Sequence, residues 1–274
     1  PPGDMHIKYG YLLGDQYCVI KVASGFYENP VLNLPSSSGL MLLLSQKTGE
    51  LLGILLDQGY LTDIRTAVAG AIAAKYLAPQ SIHRIGIVGT GIQARLQLRY
   101  LASVTDCHDV IVWGRNLSKT EQYQQEMTAA GFAVDIAQKM QDLTSSCNLI
   151  VTTTPSIAPL IYADDVQSGT HITAVGADTP HKQELESRIF PKADHVIVDS
   201  ISQCVERGDT AHAIAQNLIT PDHLIELGDV ISGKASGRTS NKQITVADLT
   251  GVAVQDIQIA KICFEAVCQR GGDA

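Results

Sequence analysis

The six residues Gly89-Thr90-Gly91-Ile92-Gln93-Ala94 constrain the fold of this chain more than any other stretch. They follow an apolar run at 82–88 and open a helical pattern over about 91–103. The spacing is G-x-G-x-x-A in a strand–turn–helix setting. Gly89 permits the tight turn, and Ala94 lets the helix pack close to the strand. Gly91 leaves the backbone open to a pyrophosphate that any Cβ would block. A helix N-terminus there offers unpaired N–H groups and a partial positive charge to an anion. Glycines alone would also serve a turn in an unrelated α/β domain, but this setting points to a dinucleotide.

The surrounding pattern agrees. Strand-like runs at 82–88, 109–113, 132–136, 149–153, 171–175 and 195–199 alternate with helical patterns such as 91–103 and 118–130. That order predicts an α/β fold with a Rossmann-type, doubly wound parallel sheet. Ahead of it, 17–23 reads as a strand, and 40–45 with 51–56 as a hairpin whose loop holds Gly49. A helix is expected over 62–77, with Thr62 as N-cap, Asp63 at its positive end and Pro79 just beyond it. The stretch 244–267 reads as a last helix.

Composition excludes several classes. Apolar residues at 45% and charged residues at 18% allow an ordinary core and argue against disorder. With 20 Lys plus Arg against 28 Asp plus Glu, the net charge of −8 lacks the basic footprint of a nucleic-acid partner. No apolar run reaches the ~18 residues of a membrane span. No secretory leader is expected, and the opening Pro1-Pro2-Gly3-Asp4 reads as the middle of a longer protein. The six cysteines form no CxxC and sit in apolar segments, so thiols in a reducing cytoplasm are expected. The eight histidines show no metal-binding spacing, and no metal site is expected.

Cofactor choice is read after the second strand of the alternating region. An NAD site usually places Asp or Glu there for the ribose hydroxyls. Here Gly114-Arg115-Asn116-Leu117-Ser118-Lys119 follows, without a carboxylate. Arg115 suits a 2′-phosphate, with Asn116 as a further donor, so NADPH is favoured. An Arg115 stacked on adenine would still tolerate NADH.

Three charged residues stand out. Lys21 lies in an apolar strand, on the face of Tyr17, Val19 and Ala23, where a lysine either reaches water or meets an anion. Arg65 falls in the expected first turn of the 62–77 helix, where a cation opposes the dipole unless it shares an anion with the helix N-terminus; Thr66 could add a hydroxyl. An exposed arginine, or one paired with Asp57 or Asp63, is the alternative. Asp178 follows the strand at 171–175, at the end where open α/β sheets bind ligands, beside His181 and Lys182. A turn before Pro180 would also account for it.

Taken together, KVASGFYENP (21–30), LTDIRTAVAGAIAAKYLAP (61–79), GIVGTGIQARLQ (86–97), VWGRN (112–116), AVGADTPHKQEL (174–185) and QITVADLTGVAVQD (243–256) resemble the ornithine cyclodeaminase/μ-crystallin family, in order along nearly the whole chain. The resemblance implies a homodimer. It also implies a smaller α+β domain for substrate binding and dimerisation (1–79 with 243–274) beside a dinucleotide-binding domain (80–242). Lys21 and Arg65 look like the family's substrate-carboxylate ligands, with Arg65 and Thr66 also close to the cofactor phosphates. Asp178 is similar to the acid/base carboxylate. Gly89, Gly91, Ile92 and Gln93 would line the pyrophosphate, and Thr153, Val175, Leu249 and Gly251 would lie nearer the nicotinamide. The family's N-terminal helix and an upstream carboxylate-binding Arg have no match, since no Arg precedes Arg65. Either they were lost from this chain, or His6 and Lys8 take over part of that role.

Arg115 stands where cyclodeaminases carry an acidic residue for a retained NAD⁺. The resemblance therefore leans to the imine reductases: reduction of Δ1-pyrroline-2-carboxylate, or of the six-membered piperideine, to proline or pipecolate. Ornithine cyclodeaminase, alanine dehydrogenase and a non-catalytic NADPH-binding crystallin are the rival readings.

Overall fold

The computed structural model describes residues 3–26 and 28–271. Pro1 and Pro2, on which the reading of an interior start partly rests, lie outside the described residues. The chain forms two compact units, Pro1–Thr66 with Val252–Ala274, and Ala67–Gly251.

In the smaller unit, strands β1 (Asp4–Tyr11), β2 (Tyr17–Gly25), β3 (Ser37–Ser45) and β4 (Leu51–Leu55) form an antiparallel sheet in chain order. Helix α1 (Tyr60–Leu77) begins in this unit, and α9 (Ala253–Gly271) belongs to it. The sheet obeys the two-residue period of a strand. Tyr17, Val19, Lys21, Met41 and Leu43 are buried on one face, against Ile257 and Ala260 of α9. The α9 residues at 253, 256, 257, 260 and 264 share one stripe by helical spacing. Gly53 is needed below that stripe, since a Cβ there would stand 2.8 Å from the Phe264 ring. Gly49 turns the β3–β4 hairpin at φ +72°, as expected of the loop glycine.

In the larger unit, eight strands form one wholly parallel sheet. They are β5 (Ile85–Val88), β6 (Asp109–Trp113), β7 (Ala133–Ile136), β8 (Leu149–Thr152), β10 (His171–Ala174), β12 (His195–Val198), β13 (Leu224–Glu226) and β14 (Thr245–Asp248). Their order is β13-β12-β14-β10-β8-β5-β6-β7. A short pair, β9 (Ile157–Ile161) with β11 (Gln183–Leu185), stands apart. Helices α2 (Ile92–Leu101) and α3 (Leu117–Ala129) connect the first three strands; α4 (Met140–Thr144), α5 (Ile189–Lys192), α6 (Ile201–Cys204), α7 (Asp209–Ala215) and α8 (Leu227–Ile231) are short. Ala94 and Leu98 of α2 and Tyr123 of α3 pack against Ile87 and Val112, whereas Val88, Ile150 and Val246 join a second core with Leu143 and Phe190. Strands buried on both faces show unbroken apolar runs rather than alternation. The doubly wound parallel sheet and the smaller antiparallel unit are the fold class the sequence predicts.

Three expectations need correcting. The stretch 244–267 is not one helix: 245–248 is strand β14, held between β10 and β12, and the helix starts at Ala253. Helix α1 starts at Tyr60, and Thr62 is not its cap; Asp57 Oδ2 accepts the Leu61 N–H at 2.7 Å instead. Arg65 therefore lies beyond the first turn, and its charge is not answered by the helix end. The division between units also falls inside α1 and after β14, not at residues 79 and 243. The physical reason is packing. Ala69, Ala73 and Leu77 of α1 share a core with Ile197 and Ala247 of the parallel sheet.

Candidate active site

In the smaller unit, cations gather on the helix-covered face of the sheet. Lys21 is 2% exposed. Its Nζ lies 3.0 Å from Asp256 Oδ2, and Arg65 Nε lies 2.9 Å from Asp256 Oδ1. These are ion pairs at contact distance without the alignment of full hydrogen bonds. Arg65 Nη1 also donates to Gln255 Oε1 at 2.8 Å. Lys8 stands opposite Lys21 in the β1–β2 register, and His6 opposite Ala23, so both follow the same face. Two cations thus share one buried carboxylate, and the Lys8 charge bears on Lys21 from the neighbouring strand. Burial and the Arg65 charge bring the Lys21 ammonium down to about 8, with Asp256 opposing them. Thr66 donates its hydroxyl to the Thr62 carbonyl at 2.7 Å.

Asp256 was missed by sequence reasoning, although its segment was singled out. Its signal resembles that of Lys21: a charged residue on the apolar stripe of α9.

In the larger unit, the strand order reverses between β5 and β8, which opens the ligand crevice of such sheets at their C-terminal ends. Gly89 follows β5 at φ +119°, and a Cβ there would stand 2.5 Å from Thr153 Oγ1. Thr153 donates N–H and hydroxyl to the Val88 carbonyl at 2.9 and 3.1 Å. Gly91 is the N-cap of α2 with no side chain over the helix end, and a Cβ there would project into open space. Ile92 is exposed at the first helical position, and Gln93 accepts from Gln97 at 3.4 Å. The open glycine backbone, free helix end and switch point fit a pyrophosphate.

The loop after β6 lies beside this turn, because the Gly89 N–H donates to the Trp113 carbonyl at 2.8 Å. Arg115 is exposed there. Asn116 caps α3, its Oδ1 accepting the Lys119 N–H at 3.0 Å, so that oxygen is committed. Val175 follows β10, and its N–H donates to the Thr152 carbonyl at 3.0 Å. Leu249 is buried with Ala69 and Ile197, so its side chain serves the core. Gly251 donates its N–H to Asp199 Oδ2 at 2.5 Å. Asp178 lies in the loop after β10, where its Oδ1 accepts from Lys182 Nζ at 2.6 Å.

The model of the ornithine cyclodeaminase/mu-crystallin family matches residues 2–271. The chain belongs to this family. Within the ornithine cyclodeaminase/mu-crystallin family it is 41% identical to an uncharacterised cyclodeaminase of Sinorhizobium fredii, over 98% of this chain and 82% of that one. Among solved structures, an archaeal alanine dehydrogenase dimer with bound NAD is 33% identical, with a TM-score of 0.91, over 98% of this chain and 83% of that chain. The Δ1-pyrroline-2-carboxylate reductase of Thermococcus litoralis, in complex with NADH and L-proline, is 27% identical, also with a TM-score of 0.91, over 99% of this chain and 87% of that one. The family thus holds imine reductases, dehydrogenases and cyclodeaminases, and the solved relatives carry a nicotinamide dinucleotide.

Proposed function

We propose that this protein is an NAD(P)H-dependent reductase of a cyclic imino acid, Δ1-pyrroline-2-carboxylate or its six-membered homologue, giving proline or pipecolate. The observation that carries the reading is the pairing of two buried cations, Lys21 and Arg65, with the one carboxylate of Asp256. An excess of buried positive charge is costly unless an anion joins it, and a substrate carboxylate supplies that anion.

Lys21 and Arg65 bind and orient the acid group by charge-assisted contacts. Asp256 keeps both cations in place before substrate arrives. His6 and Lys8 add to the basic face of the sheet. Asp178 holds positive charge at the ring nitrogen, which makes the iminium the better acceptor. A reduced nicotinamide, when bound, supplies the hydride. Gly89, Gly91, Ile92 and Gln93 take its pyrophosphate, Thr66 and Arg65 are further candidates for its phosphates, and Thr153, Val175, Leu249 and Gly251 are candidates for the backbone near its ring. Arg115 and Asn116 favour NADPH over NADH.

The protein works as a homodimer in a reducing cytoplasm. Support comes from the relative that is a dimer and from six unpaired cysteines. Among the described residues no helix is long and apolar enough to cross a membrane.

The test is a spectrophotometric panel of cyclic and open-chain imino acids with NADPH and NADH. Consumption of the reduced cofactor with the cyclic imine is expected. Consumption only with pyruvate plus ammonium would replace the reading with alanine dehydrogenation. Ammonia release from ornithine without added cofactor would replace it with cyclodeamination, and cofactor binding without turnover with a crystallin-like binder.

A further inference from the structure

Glu184, the middle residue of β11 in the larger unit, is wholly buried and outside every role assigned above. Its two oxygens take four hydrogen bonds. Oε1 accepts the Thr154 N–H at 2.5 Å and the Thr154 hydroxyl at 2.7 Å. Oε2 accepts the Thr152 hydroxyl at 2.8 Å and the Gly176 N–H at 2.8 Å. Thr152 and Thr154 flank Thr153 after β8, and Gly176 leads to Asp178 after β10. One side chain therefore ties together two loops at the C-terminal ends of adjacent strands. There is no slack between them: a Cβ on Gly176 would stand 2.6 Å from Glu184 Oε2 and would strike the Thr154 backbone.

The tie is itself supported. The Glu184 and Leu185 N–H groups donate to Asp209 Oδ1 at 2.7 and 2.9 Å. Asp248 accepts the N–H of Thr210, the next residue, at 2.7 Å. Two backbone N–H donors on separate oxygens require a lone pair on each, which a carboxylate offers and an amide does not. Burial and the neighbouring charges raise Asp209 well above the usual carboxylate range, and burial raises Glu184 to about 7, against which its four donors hold the carboxylate form.

The geometry points to Glu184 as a positioning residue that clamps the β8 and β10 loops into the platform for the nicotinamide end of the cofactor. This rests on the dinucleotide reading of the glycine turn. It goes beyond that reading by separating the two ends of the ligand. The adenine end is held at β5 and β6, where Glu184 makes no contact, and the nicotinamide end stands on the loops it ties.

Glu184→Gln tests this, because either orientation of the amide sets an NH2 against one backbone N–H. Calorimetry compares NADPH with 2′-phospho-ADP-ribose, and NADH with ADP-ribose, on the whole protein. The variant is expected to bind the complete dinucleotides roughly tenfold more weakly, the scale of one lost charge-assisted hydrogen bond. It should bind the fragments lacking nicotinamide as the wild type does. Equal weakening of both members of a pair would mean general loosening and would overturn the inference, as would unchanged binding of both. Should Glu184→Gln fail to fold, Thr152→Val removes one donor and should show the same one-sided loss more weakly; no loss there overturns the inference. If the wild type binds neither dinucleotides nor fragments, the cofactor reading itself fails.

Discussion

At the residue scale, a lysine and an arginine share one buried aspartate. Lys21 has its ammonium brought down to about 8, so it is charged below that pH and neutral above it. The acid grip requires the charged form. We therefore expect kcat/KM for the imino acid to fall as pH rises through about 8. Lys21→Arg, which stays protonated, should move that fall upward. A fall left in place by the arginine would assign the titration to another group. Arg65→Ala should reduce kcat/KM by about 2–5 kcal/mol of transition-state binding, since it removes one partner of a buried charged contact. Steady-state kinetics with the cyclic imine measures this, and imine reduction unchanged in Arg65→Ala would remove the carboxylate role.

At the scale of elements, the loop after β6 is the place to alter cofactor choice. Arg115 is exposed beside the glycine turn, so Arg115→Asp should lower the NADPH-to-NADH ratio of kcat/KM by at least about tenfold, through lost attraction and added repulsion at the 2′-phosphate. An unchanged ratio would place the selectivity elsewhere. The elements that carry this site were largely legible in the sequence. The strand–turn–helix around Gly89 reads directly, because apolar runs of β-branched residues flank glycines with a steric purpose. Lys21 was visible as a charge on the buried face of β2. What stayed hidden depended on tertiary context. The β14 run TVAD is four residues long and buried on both faces, so periodicity cannot separate it from the helix that follows. Thr62 is a good cap by type, but Asp57 reaches the helix end first. Asp256 gave a signal only against the stripe of a helix whose start was misplaced, and the partnership of Glu184 with two distant loops has no local pattern at all.

Two predictions belong to the whole molecule. Burial raises the pKa values of Glu184, Asp209 and Asp248 above the ordinary carboxylate range. The folded chain then binds more protons than the unfolded one between about pH 4 and the raised values, near 7 for Asp248. Stability should accordingly fall as pH climbs through that window, and Asp248→Asn should flatten the fall in Tm. An unchanged slope in that variant would move the linkage to other groups. The second prediction concerns the face of the antiparallel sheet turned away from α9. Tyr9, Ile20, Leu42 and Ile54 stand in one cross-strand row, with Ile7 and Tyr11 beside Tyr9 on the same face. Ile7 is 64% exposed, Tyr9 75% and Ile54 52%. An apolar surface of this kind is expected at an interface. A second copy is its expected occupant, because the related alanine dehydrogenase is a dimer and a two-fold contact joins identical patches. Ile20→Asp puts a charge in the middle of that row, and a dimer would have to bury it twice. Light scattering on the eluting protein should give twice the chain mass for the wild type and a single chain for Ile20→Asp, with α9 and the Lys21–Asp256 pair unaffected on the opposite face. A wild-type monomer, or a variant that remains a dimer, would show that copies do not meet through this sheet.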